Sequence, residues 1–266
     1  MVYDDFMLID AHSHINFLPF QQATQVIHSC KNVSGWILGG YNPKEWMSQK
    51  ALKKEFPDKV WTSAGLHPWV VGRLADDELY EALEQLQFFS GHVDFIGETG
   101  LDKNFDNPEN KQEESFKKHI AIALNYKKPL LLHIVGRHRD ALDILNAEKD
   151  LVQRSVNGLI HGFSGSWEVA QHYIQLGFYI SIGPGVLKKN FKKLRDTVKK
   201  IPLESLVMES DSPSDFSQKR YLGDNVLPEI ISYLSEARQL SAEKIKNQMV
   251  ENIKTLLTPI EGQNVR

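Results

Sequence analysis

The sequence predicts an α/β fold, a single-domain (β/α)8 TIM-type barrel, on three observations. Short apolar β-like runs recur eight times, with segments of helical periodicity between them. The runs are continuous rather than alternating, the pattern of parallel strands covered on both faces. A length of 266 residues suits one such barrel. An open doubly wound sheet is the competing architecture. Against it, the first run leads into Asp10-Ala11-His12-Ser13-His14, with no glycine-rich phosphate loop.

The runs fall at residues 7–11, 35–39, 60–64, 93–97, 130–134, 158–161, 178–182 and 205–208. Leu79, Leu83 and Leu86 share one helical face, as do Phe116, Ile120 and Leu124, and later Ile245, Met249 and Ile253. Asp76 and Ser166 are the expected N-caps, and Gly177 the expected helix stop. No linker or composition shift interrupts the pattern, so residues 1–266 read as one domain. The lysine-rich stretch from Lys188 to Lys200 is expected on the helix after the seventh strand. It reads either as a solvated face or as a patch steering a nucleic-acid backbone.

Composition bounds the function. Hydrophobic residues make up 41% and charged residues 24%, which supports a packed core rather than disorder. A net charge of -3 argues against wrapping nucleic acid by charge alone, but not against a small site that binds a few phosphates. The single cysteine, Cys30, excludes an internal disulfide and fits a reducing cytoplasm. The apolar runs fall far short of a membrane span, and the start, Met1-Val2-Tyr3-Asp4-Asp5, lacks a positively charged region. The expectation is a soluble cytoplasmic protein with no membrane and no obligate protein partner.

In such a barrel the functional residues lie at the C-terminal ends of the strands. His12 and His14, two apart, fall on one face of the first strand. His67 ends the third, Gly97-Glu98-Thr99-Gly100-Leu101-Asp102 ends the fourth, and His133 ends the fifth. His161 ends the sixth, and Glu209 and Asp211 the eighth. Five of the ten histidines thus share one predicted rim. His28, His92, His119 and His172 read as surface or packing residues, and His138 is undecided.

Four imidazoles and two carboxylates exceed the needs of one tetrahedral ion. They suit two divalent ions about 3.5–4 Å apart that share a carboxylate. Glu98 is the expected bridge. His12, His14 and Asp211 complete one site, because barrel closure makes strands one and eight neighbours. His133 and His161 complete the other. Two ions at this place activate water and offset charge on a phosphoryl group. Asp211 is assigned as ligand and general base. Glu209 reads as a partner orienting a histidine or as a direct participant, and Asp10 as an orienting partner or a strand-end cap. His67 reads as a contact to a substrate oxygen or as a brace for its loop. Trp69 reads as a stacking or a packing residue. Imidazoles favour Zn²⁺, Mn²⁺ or Fe²⁺, whereas phosphoryl chemistry favours Mg²⁺.

These motifs resemble the TatD family of metal-dependent deoxyribonucleases, within the amidohydrolase-like barrels. The matching pieces are Asp10-Ala11-His12-Ser13-His14, Gly65-Leu66-His67-Pro68, Gly97-Glu98-Thr99-Gly100-Leu101-Asp102, Leu132-His133, His161-Gly162-Phe163-Ser164-Gly165 and Glu209-Ser210-Asp211-Ser212-Pro213. The resemblance implies a TIM-type barrel, two Mg²⁺ or Mn²⁺ ions with Zn²⁺ as the alternative, and hydrolysis of DNA phosphodiester bonds. Some members trim single strands from the 3′ end, so a DNA strand end is the implied partner. The resemblance gives ligand roles to His12, His14, Glu98, His133, His161 and Asp211.

The chain departs from the family at three places. Val135 stands where an arginine is usual, and Arg137 or Arg139 either replaces that phosphate clamp or is a solvent-exposed arginine opening a helix. Gly162 stands where a cysteine is usual, and Arg220-Tyr221-Leu222-Gly223-Asp224-Asn225 where the family has Arg-Asn-Glu-Pro. The alternatives to a nuclease are an amidohydrolase acting on a small cyclic amide or ester, and a metal protein without catalysis. Glu98 on strand four, with no lysine in that run, favours the nuclease over the first. Six filled ligand positions favour it over the second.

Overall fold

A computed structural model describes residues 8–105, 110–152, 156–213 and 220–258. Met7, in the first predicted run, lies outside the described residues. The barrel strands are β1 (Ile9–Ser13), β2 (Gly35–Leu38), β3 in two halves (Val60–Trp61 and Ser63–Ala64), β4 (Phe95–Asp102), β5 (Leu130–Val135), β6 (Gly158–His161), β7 (Phe178–Ile182) and β8 (Leu206–Met208). The helices are α1 (Phe20–Ser29), α2 (Pro43–Glu55), α3 (Pro68–Val71), α4 (Asp76–Phe89), α5 (Lys111–Tyr126), α6 (His138–Val152), α7 (Trp167–Gln175), α8 (Lys192–Lys200), α9 (Gly223–Arg238) and α10 (Ala242–Leu257). Strand pairing is parallel throughout, as the continuous apolar runs predict.

The regular ladder breaks at two points, and polar groups bridge both. At Thr62, between the halves of β3, the backbone N–H and the hydroxyl donate to Asp94 (2.8 and 3.2 Å). Ser63 N–H donates to the Gln49 carbonyl (2.8 Å), and the Gln49 amide donates to Gly39 C=O (2.7 Å). Buried backbone groups thereby keep partners where the sheet gives none. Between β8 and β1, Asp211 N–H donates to His12 C=O (3.0 Å) and His14 N–H to Ser212 C=O (3.1 Å). The first and last strands are therefore joined at their C-terminal ends.

Two apolar clusters separate the inside of the barrel from the helix layer. Ile9, Ala11, Ile37, Trp61, Phe95, Leu131, Leu159 and Val207 pack together, with Val250, Ile253 and Leu256 of α10 against them. One or two residues from nearly every strand meet there, so this is the interior, and α10 covers its floor. Leu8, Trp36, Leu38, Val60, Ile96, Leu130, Leu132, Ile160, Ile180 and Leu206 belong to the other cluster, under the helices. Side chains on a strand alternate between its faces. Two residues past interior Leu131, Leu159 and Val207 come His133, His161 and Glu209.

Helix ends follow the sequence with one correction. The N-cap of α4 is Ala75, not Asp76, and Glu78 accepts the Ala75 N–H (2.9 Å). Asp76 instead opens the helix, where an acid suits the dipole. Ser166 caps α7, and Gly177 follows its end at φ +92. On α8 the lysines are exposed, while Leu194, Thr197 and Val198 are buried. Among the described residues no helix is long and apolar enough to cross a membrane.

Candidate metal centre

Strict alternation would turn His12 and Glu98 outward, since Ala11 and Phe95 point in. The structure turns both inward with a register shift. The β1–β2 pairing slips between Asp10 and Ser13, and the β4–β5 pairing between Gly97 and Thr99. Such an irregularity re-aims side chains near sites. Strand β4 also runs past its predicted end at Gly97 as far as Asp102. Gly97 (φ +143) and Gly100 (φ +139) make this possible, because a Cβ at either would strike the backbone of β5 at Leu131 or His133.

The six predicted ligands converge. His12 Nε2 and His14 Nε2 are 3.1 Å apart, and each lies within 3.7 Å of Asp211 Oδ1. Glu98 stands between the two halves. Its Oε2 is 3.3 Å from His14 Nε2, and its Oε1 is 3.6 Å from His12 Nε2 and 3.2 Å from His161 Nε2. His133 Nδ1 is 2.8 Å from His161 Nε2. Two ligands on one ion, each about 2.1 Å from it, sit roughly 3.0–3.4 Å apart. The observed spacings bracket that range.

The electrostatics suit a cation. Burial, then neighbouring imidazoles, holds His12 well below its ordinary pKa. Burial holds His14 and His161 down to about 4, and lowers His133 as well. All four are neutral near pH 7, the form that ligates metal. Burial raises Glu98 and pushes Glu209 up to about 8. Asp211 is raised well above the carboxylate range by burial, then by Glu209, Glu98 and Asp10. Clustered buried carboxylates resist ionising together unless positive charge joins them. Glu98 Oε2 is buried without a hydrogen-bond donor. The residues present therefore fit divalent ions.

The surrounding groups sort the open assignments. Asp102, quoted in the sequence only as the end of its motif, accepts from His133 Nε2 (3.1 Å) and Trp69 Nε1 (2.7 Å). The first bond turns the His133 Nδ1 lone pair toward the centre. His67 Nδ1 accepts the Trp69 N–H (3.1 Å), so the neutral ring carries its proton on Nε2, 3.7 Å from Glu98 Oε1. That tautomer braces the loop and offers an N–H toward Glu98, while by spacing alone His67, Glu98 and His133 also stand close enough together to hold an ion. Glu209 accepts Gly162 N–H (2.5 Å) and lies 3.8 Å from His161 Nδ1, beyond hydrogen-bond range. Among the described residues, no hydrogen bond or ion pair joins the Asp10 carboxylate to a ligand side chain. That carboxylate accepts from Ser210 N–H (2.8 Å), Ser210 Oγ (2.5 Å) and Tyr221 OH (2.7 Å), and so fixes the residue before Asp211.

Arg137 is neither solvent-exposed nor poised as a clamp. Its guanidinium binds Asp140 (2.7 Å) and Glu113 (2.5 Å), tying α6 to α5. Arg139, by contrast, is exposed. His119 is a buried structural histidine that donates to Ser115 C=O (2.7 Å) and accepts Leu66 N–H (2.9 Å). His138 lies outside the centre, 3.3 Å from the Tyr173 hydroxyl.

Comparison with known proteins finds matches along nearly the whole chain. A family described as TatD related DNase matches residues 9–258. A Bacillus subtilis protein named as a metal-dependent hydrolase is 31% identical over 261 residues, covering 94% of this chain and 98% of that one. An Escherichia coli metal-dependent hydrolase, YjjV, is 29% identical over 93% of this chain and 96% of its own length. The solved structure of that TatD homologue superposes with a TM-score of 0.78 at 27% identity, covering 94% of this chain and 97% of the other. A TatD-family hydrolase of Entamoeba histolytica has the same fold, with a TM-score of 0.74 at 18% identity over 96% and 99% of the two chains.

Proposed function

The chain belongs to the TatD-related DNase family of metal-dependent hydrolases, and from that premise we propose that it cleaves phosphodiester bonds in DNA, trimming single strands from the 3′ end. The observation that carries the reading is the convergence of the neutral imidazoles of His12, His14 and His161 on the two oxygens of Glu98, with Asp211 beside His12 and His14 and His133 beside His161. Two Mg²⁺ or Mn²⁺ ions are proposed, with Zn²⁺ as the alternative. His12, His14, Asp211 and Glu98 would hold one, and Glu98, His133 and His161 the other. When bound, such ions polarise the phosphoryl oxygen and acidify the attacking water.

The chain's own groups do the rest. Asp211 sits at φ +48, held there by its N–H to His12 C=O, with its carboxylate toward the centre. A non-glycine residue kept in the left-handed region is a strained placement of the kind found at working sites. There it accepts the proton of the attacking water. The His67 Nε2–H donates to a phosphoryl oxygen, and Asp102 and Asp10 keep His133 and Asp211 aimed. A small site in a chain of net charge -3 favours a strand end over a long duplex. The lone cysteine supports a reducing, cytoplasmic setting.

The test uses metal-stripped protein on single-stranded DNA with Mg²⁺, Mn²⁺ or Zn²⁺ restored, beside Glu98→Ala. Metal-dependent release of nucleotides from the 3′ end, absent in Glu98→Ala, is expected. No metal-dependent cleavage, or an active Glu98→Ala, overturns the reading.

A further inference from the structure

Beside the candidate metal centre, on the side of β1 to β4, runs a row of aromatic rings. His14 stacks on Phe17 (4.4 Å between centroids), and Phe17 meets Tyr41 edge to face (6.0 Å). Tyr41 stacks on His67 (4.9 Å), His67 meets Trp69 (5.0 Å), and Trp69 lies against Phe105 (4.7 Å). Phe17, Tyr41, Trp69 and Phe105 are half-buried, so each keeps some surface toward solvent. The row ends on a cation. The Arg73 guanidinium lies 5.5 Å from the Phe105 ring centre and is exposed.

An arginine lying on a ring is common at surfaces. Three observations set Arg73 apart. The rings beneath it lead without a gap to His67 and His14, at the centre itself. Among the described residues it has no carboxylate partner, whereas Arg137 is held by two. And the Tyr41 phenol, pushed up by burial, feels both charges, the guanidinium of Arg73 lowering it and the carboxylate of Glu98 raising it.

We infer that Arg73 and the half-buried rings of Tyr41, Trp69 and Phe105 form the subsite for the nucleotide next to the scissile bond, Arg73 taking its phosphate and the rings its base. The inference rests on the nuclease reading above. A guanidinium fork matches a phosphate, and aromatic faces stack any base, so the subsite holds a single strand without reading sequence. Paired bases in a duplex are already stacked and cannot lie on these rings. Local positive charge at the mouth also answers how an acidic chain holds a polyanion.

The experiment measures binding of a nuclease-resistant phosphorothioate single strand to the metal-loaded protein, by fluorescence anisotropy across a salt series. Arg73→Ala should weaken binding about tenfold, with the slope of log K against log salt shallower by about 0.7, the value for one lost phosphate contact on a single strand. Arg73→Lys should keep the wild-type slope while recovering only part of the affinity, since an ammonium keeps the charge but not the fork. If wild type fails to bind the strand at all, the nuclease reading falls and this inference with it. If wild type binds and Arg73→Ala shows an unchanged slope, whatever its affinity, Arg73 only packs on Phe105 and this inference alone is overturned.

Discussion

Replacing Asp102 by asparagine isolates what one buried carboxylate does for half of the metal centre. Asp102 takes three donors: Oδ2 accepts from His133 Nε2 (3.1 Å) and Trp69 Nε1 (2.7 Å), and Oδ1 accepts the Asn104 N–H (2.9 Å). Burial alone would raise its pKa. The three bonds outweigh burial and hold it at about 2, so it is ionised near neutral pH. An amide of the same shape has one acceptor oxygen and one NH2 group. In one flip the NH2 faces the Asn104 N–H, and in the other it faces both His133 and Trp69. The first flip costs less, yet it still leaves His133 on a neutral acceptor, a bond about half as strong as the charged one. Loss of such a carboxylate–histidine contact typically lowers metal affinity about 10–100-fold, or about 1.4–2.8 kcal/mol. Titration calorimetry of stripped protein with Mn²⁺ should show one of two binding events weakened by that factor. The event assigned to His12, His14 and Asp211 should change little. Two unchanged events would refute the claim that His133 binds through Nδ1. Equal weakening of both in a folded variant would refute the division into two sites.

Three further substitutions probe the frame of the site. In Gly39→Ala the new methyl falls 2.7 Å from His12 Cε1, and closer still to Glu98 Oε2 and His14 Cε1. It should abolish metal retention through dialysis while the stripped protein loses only about 1–3 kcal/mol of stability; full metal content by elemental analysis would contradict the placement of Gly39. Tyr221→Phe removes one of the donors to Asp10 and should lower stability by about 1–2 kcal/mol, read as a lower urea midpoint with an unchanged slope. His119 is buried neutral, its pKa held down to about 4 by burial against 6.5 when unfolded. The unfolded chain therefore takes up a proton that the native one refuses. This group's stability is present above pH 6.5 and is lost as pH falls from 6.5 to 4, to a total of about 3 kcal/mol. Urea unfolding of stripped protein should show the wild-type advantage over His119→Gln shrinking between pH 7.5 and pH 5, and parallel pH curves would exclude it.

Much of this was readable in the chain because one period governs it. An apolar run with a histidine at its end reads as a strand pointing a ligand at the mouth, and His133 and His161 sit two residues beyond the interior positions Leu131 and Leu159. The contacts that lay out of reach come from other elements. The ion pair that removes Arg137 from the mouth needs Glu113 of α5, 24 residues away in sequence. The tautomer of His67 is set by the N–H of Trp69 at the start of α3, which no spacing rule reports. The sequence assigns Asp102 no role because the apolar run of strand four stops at Gly97, while the strand itself continues past Gly100 to bring Asp102 beside His133.

The alternation rule fails at the two places where the chemistry is proposed. Read strictly from Ala11 and Phe95, it sends His12 and Glu98 to the helix layer, where an imidazole and a carboxylate would be buried among apolar side chains. The register shifts in β1 and β4 reverse that. Each is held by contacts a regular ladder lacks: Asp211 N–H on His12 C=O, and Glu98 N–H on Gly40 C=O (2.9 Å). The shift in β1 lets Asp10 face Ser210 and Tyr221 while His12, two residues on, faces Glu98. A regular strand would force both onto one side. Barrel closure and ligand placement are thus one arrangement, because the bond that joins β8 to β1 at His12 is also the bond that holds Asp211 at the centre.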